Sequence, residues 1–289
     1  MTTPRFTVEA KDELIPQLVL RDAQERSEVW LAPSRGALVT RFFDGQRELL
    51  YLDSATFLDR SKNVRGGIPV LFPAPGKLEN DRWSHAGSSG VLKQHGFARN
   101  ADWSVMRQQT QTRAEVTLCM ESSAETLRDY PWPFRVELTF ALSGRELRIE
   151  IRVLNTGANA MPYGFGFHPY FVMKLEDKGS ARIETGATRV FDNVTKEEHA
   201  LGELKLGAGE SDLHLLDHGS TNSALTTPRG TVRVEGSEAF TRWVIWTLPG
   251  KEFICLEPWT CSGNALNTGV GLREVAPGAA QTHWVAIGT

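Results

Sequence analysis

Arg135-Val-Glu-Leu-Thr-Phe-Ala-Leu142, followed across Ser143-Gly144 by Glu146-Leu-Arg-Ile-Glu-Ile-Arg-Val153, decides the fold class. Polar and apolar residues alternate through both runs. Val136, Leu138, Phe140 and Leu142 therefore share one face of the first, and Leu147, Ile149, Ile151 and Val153 one face of the second. A period of two belongs to a strand with one buried and one wet face. Two such runs about a glycine turn predict an antiparallel hairpin. The same rhythm recurs at residues 114–120, 231–235, 242–247, 253–256 and 282–287, punctuated by 26 Gly and 14 Pro. No window longer than about two turns carries a helical period. The expected architecture is all-β, a large antiparallel sandwich with residues 1–289 as a single domain.

Composition narrows the function classes. With 289 residues, 40% hydrophobic and 23% charged, the chain can bury a large core. Its 35 acidic and 32 basic residues leave a formal charge of −3, so no basic surplus points to nucleic acid and no polybasic tail to a membrane. No apolar stretch approaches a bilayer span, and Met-Thr-Thr-Pro-Arg-Phe-Thr-Val-Glu-Ala lacks a signal core. A cytoplasmic location is expected. Cys119, Cys255 and Cys261 have no CxxC spacing; Cys119 and Cys255 read as core thiols, and neither a disulfide framework nor a zinc site is implied. His214 and His218 are spaced i, i+4, which suits a metal only on a helix, and the surrounding β pattern argues against one. No metal is expected. GxxxxGK[ST], GxGxxG and GxSxG motifs are all absent, so neither a nucleotide cofactor nor a serine hydrolase is implied.

The strand rhythm breaks between residues 63 and 103, which read as loops crossing the sheet, and long irregular connections are often functional. Within them Arg65-Gly-Gly-Ile-Pro and Gln94-His-Gly-Phe-Ala-Arg99 couple donor-rich side chains to glycine. Arg65, His95 and Arg99 suit hydroxyl or anionic oxygen, unless the arginines merely pair with acids to brace the loops. His168 is the one side chain able to titrate near neutral pH in Tyr163-Gly-Phe-Gly-Phe-His-Pro-Tyr-Phe171. An apolar, aromatic setting moves an imidazole pKa; the alternative is a core histidine bonded to a carbonyl. Glu257, in Phe253-Ile-Cys-Leu-Glu-Pro-Trp-Thr260, falls where a buried strand is expected to end. It reads as a general base of raised pKa beside the aromatic plane of Trp259, or as a strand-end carboxylate capturing loop amides. Asp212 by itself reads as turn chemistry.

In order along the chain, Arg65-Gly-Gly-Ile-Pro-Val-Leu-Phe-Pro73, Gln94-His-Gly-Phe-Ala-Arg-Asn100 with Trp103, Tyr130-Pro-Trp-Pro-Phe134, Phe167-His-Pro-Tyr-Phe171, Leu256-Glu-Pro-Trp259 and Asn264-Ala-Leu-Asn-Thr-Gly-Val-Gly271 resemble the aldose 1-epimerase (mutarotase) superfamily. The closest likeness is to its hexose-6-phosphate mutarotase-like branch. The resemblance implies a β-supersandwich that interconverts sugar anomers without a metal or other cofactor. By the same likeness, His168 is the acid at the ring oxygen and Glu257 the base at the anomeric hydroxyl. Arg65, His95 and Asp212 match positions that hold sugar hydroxyls, with Gln94, Arg99 and Trp259 as further contacts. Arg65 and Arg99 also suit a phosphate, but Asn80-Asp-Arg-Trp-Ser-His85 does not complete an anion site, so the balance leans to a neutral hexose. The expected partner is a small-molecule sugar, not nucleic acid or membrane, bound by a monomer or weak dimer. The competing class is a sugar-binding or sensing protein without turnover. Retention of both an acid and a base argues against it, as a binder needs neither. A glycoside hydrolase would need a second carboxylate facing Glu257, for which Asp212 is the one plausible partner.

Overall fold

The expected hairpin forms: Phe134–Ser143 pairs antiparallel with Glu146–Asn155, setting Leu138 opposite Ile151 and Phe140 opposite Ile149. The computed structural model describes residues 4–204, 206, 207 and 209–289. Within them the hairpin sits inside an eight-stranded sheet. Ser104–Gln109 and Ala114–Glu121 lie on one side of it. On the other side come Ala280–Gly288, Gly230–Gly236, Asn222–Thr227 and Arg182–Glu184. The last strand in the sequence is thus a central one, with partners from two distant segments.

A second eight-stranded sheet runs in the order Glu197–Ala200, Arg189–Asp192, Ser211–Leu215, Arg242–Thr247, Phe253–Trp259, Gly166–Phe167, Val70–Leu71, with Tyr170–Val172 also pairing with Phe253–Trp259. A four-stranded meander, from Phe6–Lys11 through Gln17–Asp22 and Ser27–Ala32 to Leu38–Phe43, packs on the strands Ala114–Glu121 and Phe134–Ser143. One apolar cluster joins all three sheets, through Leu20, Val29 and Phe42, through Leu118, Phe140 and Ile149, and through Phe167, Trp243 and Leu256. Transfer of such side chains from water is the main favourable term in holding the layers together.

All-antiparallel pairing among the named strands bears out the expected fold class, and the longest α-helix described has six residues, Ala124–Asp129. Two readings need correction. Residues 63–103 are not loop throughout: Val70–Leu71 joins the edge of the second sheet, and Arg82–His85 pairs with Ser88–Val91. The strand expected at 253–256 continues to Trp259, so Glu257 lies within it. Pro258 disguised this, since a proline withholds a ladder donor. It is accommodated because the strand keeps its partner Arg242–Thr247 on one flank while the other flank is broken there.

Candidate active site

The broken flank creates the site. Tyr170 pairs with Cys255 on one side of the break and Gly166 with Trp259 on the other, in one continuous antiparallel register. Midway between these pairs, His168 and Glu257 stand opposite each other, flanked by Pro169 and Pro258. Neither proline has an N–H to close a ladder bond. The His168 Nε2 lies 3.4 Å from Glu257 Oε1, and both residues are buried, with 8% and 1% exposure.

Register across the neighbouring strands supplies the rest. Glu257 pairs with Val244 and Val244 with His214, giving a row across one face of the sheet. Two residues along, Asp212, Trp246, Cys255 and Tyr170 form a second row. A third joins Arg242, Trp259 and Gly166. Glycine is required at 166, because a Cβ there would stand 2.7 Å from Cδ1 of Trp259.

The His168 ring stacks on Tyr170 at 4.7 Å and 11° and meets Trp246 and His95 edge-on, each at 5.5 Å. Burial first, then the charge of Arg99, pushes its pKa down to about 3. Burial, reinforced by the charge of Asp212, pushes the Glu257 carboxyl well above its ordinary value, and the Trp259 N–H donated to Oε2 at 3.1 Å offsets this only in part. Both shifts oppose a separated ion pair and favour a neutral imidazole facing a protonated carboxyl. Asp212 is tuned the other way. Burial alone would raise it, but His214, at 3.4 Å from Oδ1, and the Asn193 amide, donating to Oδ2 at 2.7 Å, hold it below the usual carboxylate value. Two carboxyls with opposed shifts share one cleft, a pattern that separates a fixed anion from a working base.

His95 sits at φ +70°, where its Nδ1 accepts the Gly76 N–H at 3.0 Å. With Nδ1 as acceptor, the neutral ring carries its proton on Nε2. Burial, then the charges of His168 and Arg99, keeps its pKa well down. Trp259 stands edge-on between His95 at 5.9 Å and His214 at 5.3 Å. Arg99 donates to the Gln94 carbonyl at 2.9 Å and its buried Nε has no partner. Arg65 lies over Trp246 at 5.8 Å. Neither arginine forms an ion pair among the described residues, and Arg99 instead braces its own loop through the Gln94 carbonyl.

The structure thus brings His168, Glu257, His95, Gln94, Trp259 and Asp212 into a chain of contacts, with Arg65 and Arg99 at its border. Sequence reading missed Trp246, Tyr170, Asn193 and His214. The alternation of residues 242–247 puts Val244 and Trp246 on one face, but which face meets the cleft depends on register. His218 turns elsewhere, to Thr185 and the Asn222 carbonyl. Cys119 and Cys255 are buried free thiols, as expected. No helix among the described residues is long and apolar enough to cross a membrane. A separate cleft of about 640 Å³ on the other large sheet is lined by Glu235, Ser237, Arg273, His283 and Trp284.

The family model described as aldose 1-epimerase matches residues 20–288, and the chain belongs to that family. Among solved structures, Slr1438 of Synechocystis sp. PCC 6803 is 36% identical, with a TM-score of 0.90 over 99% of this chain and 96% of that one. A galactose mutarotase-like protein of Clostridium acetobutylicum shares the fold at TM-score 0.82 and 19% identity over 98% of each chain. A protein of Cenchrus ciliaris bearing the name "Putative glucose-6-phosphate 1-epimerase" is 31% identical over 64% of this chain and 55% of its own length, so the match spans about half of that relative.

Proposed function

We propose that this protein is a mutarotase that interconverts the α and β anomers of an aldohexose, with a hexose 6-phosphate as the favoured substrate. The observation that carries the reading is His168 facing Glu257 across 3.4 Å inside a buried aromatic cleft. Mutarotation moves one proton onto the ring oxygen and one off the anomeric hydroxyl. Passing the shared proton from Glu257 to His168 prepares both groups at once. Glu257 then accepts the O1 proton while His168 protonates O5, the C1–O5 bond opens to an aldehyde, and rotation about C1–C2 precedes closure on the other face. Each positioned proton-transfer group contributes typically about 10²–10⁴-fold, which two side chains supply without a cofactor.

Two arginines without acid partners support an anionic substrate over the neutral hexose that the sequence favoured. The charges of Arg99 and Arg65 both depress the His168 pKa. A phosphate between them would offset those charges and make the imidazolium easier to form. The phosphate would then assist the chemistry as well as binding.

The test is polarimetry or one-dimensional NMR on freshly dissolved α-glucose, α-galactose and glucose 6-phosphate. Acceleration over buffer is expected, greatest for the phosphate ester. His168→Ala and Glu257→Gln should each lower the rate by about 10²-fold or more. Anomerisation at the buffer rate for every sugar would overturn the enzyme reading in favour of a sugar-binding role.

A further inference from the structure

Mutarotation uses two proton-transfer groups, yet a third group with acid chemistry is buried beside them. Cys255 and Glu257 are two residues apart on one strand and so share its cleft face, and Tyr170, the partner of Cys255, stacks on His168. One ligand atom each from His168, Cys255 and Glu257 lie within 4.8 Å of one another, and all three residues are buried.

We propose that His168, Cys255 and Glu257 form a capture site for a thiophilic divalent cation of the zinc or cadmium class, whose binding switches the active site off. The donor set is one thiol that binds as its thiolate, one imidazole and one carboxylate, so binding releases the Cys255 proton and the proton held between His168 and Glu257 to solvent; the set suits such ions and not magnesium or calcium. Zinc bonds are about 2.3 Å to sulfur and about 2.0–2.2 Å to nitrogen and oxygen. A tetrahedral ion then needs its ligand atoms about 3.5 Å apart, so none of the three pairs, all within 4.8 Å, contracts by more than about 1.3 Å. The fourth position remains open to water or a sugar hydroxyl. A bound ion takes the lone pairs of His168 and Glu257 that mutarotation needs, while Asp212 adds a further negative charge nearby. Arg65 and Arg99 oppose the cation, so a reversible inhibitory site is expected in place of a permanent structural one. A phosphate ester attracted by the same arginines would compete with it for the cleft.

The inhibition arm of this proposal rests on the mutarotase reading; the binding arm does not. Zinc and cadmium chlorides are to be titrated into the tag-free full chain, with equilibrium dialysis for stoichiometry, near-ultraviolet absorbance for the cadmium–thiolate band, and mutarotation for activity. One ion per chain, a cadmium–thiolate band, and inhibition reversed by EDTA are expected. Cys255→Ser should abolish the band and weaken zinc binding at least about ten-fold, and zinc should no longer lower whatever rate the EDTA-treated variant retains. Cys255→Ala serves if the serine variant misfolds. Cys119→Ser and Cys261→Ser should behave as the parent. Wild-type zinc binding in the folded Cys255 variants, or no binding in the parent, would overturn the site. A chain that binds one ion through Cys255 but never accelerates mutarotation would sink the proposed function and leave the metal site standing.

Discussion

At the scale of single residues, the cleft distributes opposite electrostatic tasks between two carboxyls, and that gives a signed prediction. If the one-proton state of the His168–Glu257 pair is the active one, kcat/KM falls at low pH when a second proton is added and at high pH when the first is lost. Burial depresses His168 to about 3, so the acid limb should lie far below the ordinary histidine range. The alkaline limb follows Glu257, raised by burial and by Asp212 and lowered by Trp259. Asp212→Asn should therefore move the alkaline limb to lower pH, and Trp259→Phe should move it to higher pH. Steady-state profiles of both variants check this; shifts in the same direction would contradict the assignment. Residue identities were legible in the sequence because an imidazole among rings and a carboxylate before Pro-Trp stand out chemically. The partners that tune them, Asn193 and His214, were not legible. Asn193 is a turn residue by composition, and His214 was weighed only as half of a metal-like pair.

At the scale of elements, the strand Phe253–Trp259 illustrates where local reading stops. Its apolar start was legible from Phe253-Ile-Cys-Leu256, but Pro258 counted as a terminator because the missing partner on one flank belongs to a segment about 90 residues earlier. The first 43 residues show the same limit. Their four strands alternate less cleanly and went unread, since Gln17–Asp22 and Ser27–Ala32 are buried on more than one face. Gly166→Ala tests the packing of the element itself. The new methyl would meet the Trp259 ring at 2.7 Å, and overpacking of that kind costs typically about 1–3 kcal/mol. Denaturant titration should show that loss, together with reduced activity as the indole leaves Glu257. Unchanged stability and rate would mean that the ring has slack.

At the scale of the whole molecule, buried histidines set how the fold responds to acid. His283, bonded to the Tyr163 hydroxyl at 2.7 Å, is pushed down from 6.5 to about 4, by burial first and then by Arg273. The unfolded chain takes up that proton below about pH 6.5 and the folded chain does not, so stability falls as pH drops from about 6.5 toward 4. His283 contributes to that loss down to about pH 4, and His168 acts in the same direction down to about 3. Thermal melts between pH 7 and 4 should show a declining Tm, and His283→Gln, which keeps a partner for Tyr163, should flatten the decline. A variant as acid-sensitive as the parent would remove His283 from this role. Fold class was readable at this scale from period alone. Strand order was not, because the final strand inserts between partners about 50 and 130 residues away, and nothing local encodes that choice.

The paired break at His168 and Glu257 also acts as a ruler. One residue inserted between Gly166 and Tyr170 would turn the imidazole to the opposite face of the sheet. Two would restore the face but set it against the wrong row. Point changes in this segment have graded effects, whereas any change of length is all-or-none. Descendants of this chain can therefore vary the chemistry around the gap far more freely than its spacing.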